Sequence, residues 1–322
     1  MVCGPSFNIN VPNAVATICM GLCRGFAEVD TKYRLVDAFD LARCLREDSV
    51  QLVALSGYDY AHLEREARHL LRKVPHFVWV NPWFPNLESV YEPLRLPDPR
   101  FPGRIVRRIL DSEPAFVYAP VPPSCLCYYE SWAAHGMSVR SLPLACDTAR
   151  YYRSPSDTRF SDVQVAFVGG YRGYKSRQFE KYLRPYEDQL VVYGYDRWPY
   201  HGYRGLLGED DERVLYQNAR LCPALSEPHA ELMGDIVERA FKIMGSGGLA
   251  IVDVTPAYRE LFTDAELMMP RSLPEYHELV SATLTDEIDV ADLRRRGYEA
   301  VIARHTYAHR ARQVLEWLGI RP

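Results

Sequence analysis

Three stretches of the chain have residue types and spacing that chemistry can use. The first, Val168-Gly169-Gly170-Tyr171-Arg172-Gly173-Tyr174-Lys175, joins a short apolar run to an amphipathic one. Glycines at a strand-to-helix junction let backbone N–H groups approach phosphate, the helix start favours an anion, and Arg172 and Lys175 add cations. The spacing is neither G-x-G-x-x-G nor a P-loop, so no dinucleotide or ATPase motif is matched, and a plain strand-to-helix turn is the alternative. The second, Tyr193-Gly194-Tyr195-Asp196-Arg197-Trp198-Pro199, sets flat side chains just past a strand, a stacking surface for a nucleobase whose edge would meet the backbone. The chain has 22 tyrosines, so a loop packed by its own aromatics is equally compatible.

The third stretch, Ser226 to Asp235, gathers the most titratable groups. Glu227, His229 and Glu231 share one polar loop, where they could hold sugar hydroxyls or transfer protons. Asp235 opens the following helix, where its carboxylate would satisfy orphan N–H groups as an N-cap. On that helix Glu238, Arg239 and Lys242 lie within reach of one another, as a solvated ion-pair face or as a cationic site. In the first half, Asn8, Asn10, Tyr58, Asp59 and Trp83 fall on loop tips where a second substrate would sit. Asp59 is the only carboxylate in those particular tips and so a candidate base, with a simple turn aspartate as the alternative. No metal site is expected: Cys125-Leu-Cys127 stands alone, and His305 and His309 are one helical turn apart with no third ligand.

These groups need elements to position them. Short apolar runs at 52–55, 77–80, 116–119 and 139–144 read as buried parallel strands, with helical patterns at 14–26, 60–72, 104–110 and 124–134 between them. A polar stretch at 148–161 breaks the alternation. It resumes with strands at 163–168, 190–193 and 249–252 and helices from about Ser176 and at 212–219, 235–244, 291–304 and 306–318. Strands alternating with helices indicate βαβ units. In open sheets of this kind, ligands bind outside the carboxyl ends of the strands, where the three stretches lie.

Composition sets the outer limits. A chain of 322 residues that is 48% hydrophobic and 25% charged suits a globular protein with a sizeable core. A net charge of -4 argues against nucleic acid as the partner. The eight cysteines form no zinc or secreted-disulfide pattern. Only Lys32, Lys73, Lys175, Lys181 and Lys242 are lysines among 38 basic residues, a usage that goes with GC-rich bacterial coding sequence. The first residues carry no basic leader and are interrupted by Asn8, Asn10, Pro12 and Asn13, and no window reaches the ~20 apolar residues of a membrane span. A cytoplasmic protein is expected.

The second half resembles the group 1 glycosyltransferases of GT-B fold, in particular the CgeB-like (spore-maturation-protein-like) branch, from about Val163 to Leu318. The resemblance rests on the Val168-Gly169-Gly170 turn, Tyr193-Gly194…Trp198, Asp235…Arg239-Ala240-Phe241…Gly245-Ser246-Gly247-Gly248, Glu260-Leu261-Phe262 and His305-Thr306-Tyr307…Arg310. It implies an α/β protein of two Rossmann-like domains facing across a cleft. Residues 1–150 would bind the acceptor and 151–322 a nucleotide sugar, with a linker near 148–161 and a last helix able to pack back on the first domain. It also implies a glycosyltransferase that needs no metal or other cofactor beyond its nucleoside-diphosphate-sugar co-substrate. Where the family often places a glutamate for the donor ribose, this chain has Lys242. A lysine accepts no hydrogen bonds, so Lys242 would meet phosphate instead.

The resulting assignment gives the donor nucleotide and diphosphate to Gly169, Gly170, Arg172, Lys175, Tyr195, Arg197, Trp198, Asp235, Arg239 and Lys242. The donor sugar goes to Glu227, His229 and Glu231, and the acceptor to Asn8, Asn10, Tyr58 and Trp83. Catalysis goes to Asp59, His229 and Glu231. The acceptor is expected to be a small molecule such as a natural product, without nucleic acid or membrane. A nucleotide-sugar epimerase or hydrolase, or an inactive transferase-like binding protein, would fit the same scaffold.

Overall fold

The computed structural model describes residues 2–4, 14–81, 103–154, 156–171, 173–228 and 233–320. The chain divides into two compact units, Met1–Pro143 with Tyr307–Pro322, and Leu144–Thr306. The division falls at 143/144 rather than 150/151, so the stretch expected as a linker lies inside unit 2, and the final helix, Tyr307–Trp317, belongs to unit 1.

Unit 1 is one parallel sheet of β1 (Val2–Gly4), β2 (Leu35–Asp37), β3 (Val53–Ser56), β4 (His76–Trp79), β5 (Phe116–Ala119) and β6 (Val139–Ser141), in the order β2-β1-β3-β4-β5-β6. All four residues of β3 and of β5 are buried, as expected for strands covered on both faces. Val53, Leu55, Val78 and Val117 pack on one side with the helices Leu41–Glu47, Arg65–Leu71 and Gly103–Ser112. On the other side Phe77 stacks on Phe116, whose ring edge meets Trp317 of the final helix. β1 has β2 on one side and β3 on the other, so the strand order reverses between β1 and β3.

Unit 2 repeats the plan with β7 (Val165–Val168), β8 (Leu190–Tyr193), β9 (Cys222–Ala224) and β10 (Ala250–Val252). β7 pairs with β8 and β9 with β10, all parallel, and a bridge between Val165 and Leu221 joins the pairs in the order β8-β7-β9-β10. Alternate residues of β7 serve opposite faces: Val165 and Phe167 pack with Phe179, Tyr182 and Tyr276, while Ala166 packs with Tyr216, Ala240 and Phe241. Here the order reverses between β7 and β9. No helix among the described residues is long and apolar enough to cross a membrane.

Candidate functional site

Two residues shape the end of the β7–β9 ladder at the reversal in unit 2. Leu221 N–H donates to Gln164 O and Ala166 N–H to Leu221 O, each at 3.0 Å. The next donor in that parallel ladder would be residue 223, which is proline and has no N–H. Arg239, in the first turn of the helix Glu238–Gly245, takes over at the carboxyl ends of the two strands. Its Nε donates to Val168 O at 2.9 Å and its Nη1 to Leu225 O at 3.0 Å, with the guanidinium 4.5 Å from the centre of the Phe167 ring. A side chain on Gly169 would sit 2.9 Å from Arg239 Nη2, and one on Gly170 would collide with the Tyr195 ring. The two glycines therefore serve close approach inside the protein.

Of the loop expected to stack a base, Trp198 lies in the core. Its Nε1 donates to Gly169 O at 2.9 Å, and its ring centre is 4.4 Å from that of Phe179. A ring walled in on that side offers no stacking face, which corrects the expectation for Trp198. Tyr195 and Arg197 are exposed.

The cations are largely spent on carboxylates. Lys175 immediately precedes the short helix Ser176–Tyr182, and its Nζ lies 2.5 Å from Glu227 Oε1, while Tyr174 OH donates to Glu227 Oε2 at 2.7 Å. Glu227, expected to hold sugar, thus meets the cation expected to hold phosphate. Lys242 is 9% exposed; its Nζ is 2.7 Å from Glu238 Oε2 one turn earlier and 5.3 Å from the Tyr151 ring centre. Tyr151 and Tyr216 both donate to Glu212, at 2.9 and 3.0 Å. An ammonium group paired within its own helix and roofed by an aromatic ring is not displayed for phosphate, which corrects the expectation for Lys242.

Asp235 is not an N-cap. The helix starts at Glu238, with Val237 in the cap position and its N–H given to Tyr258 OH at 3.1 Å. The sealed Oδ1 of Asp235 has no hydrogen-bond partner among the described residues, and burial together with the Glu227 carboxylate pushes the carboxyl up to about 7. A fully buried Asp253 after β10 accepts from Ser226 N–H at 2.8 Å and ties the loop after β9 to the end of β10. Arg172, His229 and Glu231 lie outside the described residues. His305, in neither substrate list, packs on Phe262 with its Nε2 3.2 Å from Leu261 O. Among the described residues no three metal-ligating side chains cluster.

At the reversal in unit 1, Asp59 is completely buried in the turn after β3. Its Oδ2 accepts from Ser56 N–H at 2.7 Å, and the Ser56 hydroxyl accepts from Tyr58 N–H in return. Its Oδ1 has no partner among the described residues, and burial pushes the carboxyl up to about 7, with Asp37 adding to the effect and the Ser56 N–H opposing it. Tyr58 stands at the surface, its hydroxyl accepting from Asn81 Nδ2 at 2.9 Å. Asn8, Asn10 and Trp83 lie outside the described residues. Sequence reasoning did not pick out Phe39, which is exposed two residues past β2 with its ring against His62. No sequence signal pointed to it, because the short strand before it, β2, shows no pattern.

Residues 176–316 match the family model described as glycosyl transferase-like. Over its whole length the chain also resembles solved glycosyltransferases. The T4 phage BGT in complex with its UDP-glucose substrate superposes with a TM-score of 0.62 at 10% identity, covering 99% of this chain and 98% of that one. AviGT4, a glycosyltransferase involved in avilamycin A biosynthesis, gives 0.62 at 12% identity over 98% and 95%. The trehalose 6-phosphate synthase of Burkholderia multivorans gives 0.56 at 10% identity over 93% and 81%. The fold is GT-B. No curated protein sequence matches the chain. Within that fold, the family match covers most of unit 2, including the helix that carries Arg239 and the loop that carries Glu227.

Proposed function

We propose that the protein is a glycosyltransferase that moves a sugar from a nucleoside-diphosphate sugar to a small-molecule acceptor without a metal ion. The observation that carries this reading is the family match over 176–316, which contains the Arg239-bridged end of the unit 2 sheet. The donor lies across the carboxyl ends of β7 and β9, with its diphosphate toward the remaining N–H groups of Arg239 and toward Lys175. In the transfer, an acceptor hydroxyl oxygen bonds to the anomeric carbon as the carbon–oxygen bond to the diphosphate breaks. The diphosphate leaves with the electron pair, stabilised by fixed cations. The hydroxyl proton passes to a base, for which Asp59 in unit 1 is the candidate. Because Asp59 is sealed, that role requires the turn Gly57–Ala61 to open and release the Ser56 N–H bond. His229 and Glu231 remain candidates for the sugar and for proton transfer.

The test is a panel of nucleoside diphosphates in a thermal-shift assay, since a ligand selective for the folded state raises apparent stability. One member is expected to raise the unfolding temperature, and its sugar derivative to release free diphosphate only when an acceptor is added. No shift with any member contradicts the proposal. Equal release without acceptor makes the protein a hydrolase, and binding without turnover makes it an inactive relative.

A further inference from the structure

We propose that the seam between the helices Arg65–Leu71 and Gly103–Ser112 of unit 1 binds the terminal phosphate of a phosphate monoester, held by Arg65, Arg68 and Arg108. The inference goes beyond sugar transfer and stands on unit 1 alone.

The two helices pack against each other over the same side of the sheet. Arg65, Arg68 and Arg72 recur at helical spacing and share one face at the first helix, and Arg104, Arg108 and Asp111 share one face of the second. Two contacts bring these faces together. Arg108 Nη1 donates to Tyr60 O and Ala61 O, at 2.8 and 3.1 Å, just before the first helix. At the other end of that helix, Arg72 Nε donates to Asp111 O at 2.6 Å. The acids of the first helix serve its opposite side: Glu66 pairs with Arg46 of the helix Leu41–Glu47, and the charge of Glu64 acts on that same arginine.

The seam therefore collects guanidinium groups that its acids do not match. Arg65 is exposed and Arg68 half-buried, and neither has a hydrogen bond or ion pair among the described residues. Arg108 is braced through Nη1 alone, which leaves its Nε and Nη2 to donate elsewhere. Burial and the neighbouring charges of Arg108 and Arg65 lower the Arg68 pKa from its usual value, with Asp111 acting the other way. Guanidinium groups keep their charge, so a half-buried one crowded by its own kind is stabilised by an anion that accepts from several of them at once. The same residues set the size of that anion. Three guanidinium groups against the one carboxylate of Asp111 leave a surplus of two positive charges. A phosphate monoester carries about two negative charges at neutral pH and matches that surplus. An extended polyanion would run on into Asp111 and into Glu113, which stands 3.5 Å from Arg72 at the far end.

The experiment measures binding to the full chain by titration calorimetry at low salt, with no nucleotide present. The probes are glycerol 3-phosphate, the singly charged diester dimethyl phosphate, and a short DNA duplex. The monoester is expected to bind, with the diester at least tenfold weaker. Arg68→Ala and Arg65→Ala are each expected to weaken the monoester about tenfold, and Arg68→Lys to keep part of the affinity. Absence of monoester binding overturns the inference, as does unchanged affinity in both alanine variants or equal affinity for the diester. Tighter binding of the duplex, lost in the same variants, would make the seam a nucleic-acid surface and overturn it as well. The nucleoside-diphosphate panel is read through unit 2, so either result can fail while the other stands.

Discussion

The strands at the reversal of unit 1 end around a buried carboxyl, and those at the reversal of unit 2 end around a guanidinium. Both sheets are parallel and both reverse order beside their first strand, yet the groups at the two ends answer burial differently. Asp59 keeps one oxygen on an N–H and the other unmatched, and burial moves its titration to about 7. Arg239 meets two carbonyls, those of Val168 and Leu225, at the carboxyl ends of β7 and β9. A carboxyl can shed its charge when water is removed, whereas guanidinium groups keep theirs and need acceptors. The unit 1 end is therefore suited to handling a proton, and the unit 2 end, where Asp235 is buried as well, adds a fixed positive field for a leaving anion.

The first way to break this comparison is to unpair a buried charge in unit 2. Lys242→Ala leaves Glu238 buried without its ammonium partner and should cost about 3–5 kcal/mol in urea unfolding, whereas Glu238→Gln with Lys242→Met should be close to neutral. If Lys242 meets phosphate instead, the single variant will lose nucleotide affinity with little change in stability.

Next is the acid of unit 1. Its folded titration near 7 lies above the ordinary 3.8, so the protonated form is favoured by folding. That stabilisation is fully present below about pH 4 and is lost as pH rises through 7. Relative to Asp59→Asn, which cannot ionise, the wild type should lose about 2–4 kcal/mol between pH 4 and pH 8. Parallel stability curves for the two proteins would show that Asp59 is not held protonated.

Arg239→Lys should cost less, about 1.5–3 kcal/mol, because an ammonium cannot reproduce a fork across two carbonyls. Nucleoside and nucleoside diphosphate should then weaken together. Loss confined to the diphosphate would make Arg239 a simple phosphate contact. The smallest effect belongs to Glu227→Gln. Removing the carboxylate that competes for Lys175 should tighten nucleoside-diphosphate binding about three- to tenfold in calorimetry, an amount in keeping with a partly exposed ion pair. Weaker binding would show that the pair supports the site.

Much of the architecture was legible. Continuous apolar runs located β3 to β8 and β10 to within a few residues. The strands that escaped, β1, β2 and β9, are short and lack a longer apolar run around them, and β9 has Pro223 at its centre, a residue that ordinarily speaks against a strand. The site was legible only in part: residue types located the loops, but not which charges are spent on each other. The Glu238–Lys242 spacing was visible as a helical pair, whereas Lys175–Glu227 and Tyr151–Glu212 join residues 52 and 61 positions apart, which no local pattern encodes. Trp198 lay in the right loop but faced inward, because its indole N–H satisfies the carbonyl of Gly169.

The most direct measurement is a crystal structure of the protein with a nucleoside diphosphate selected by the thermal-shift panel. The account predicts ligand density across the carboxyl ends of β7 and β9, with the diphosphate beside Gly169 and Arg239. A diphosphate bound at the β1–β3 end, or a β7–β9 end filled by protein side chains at saturating ligand, would contradict it.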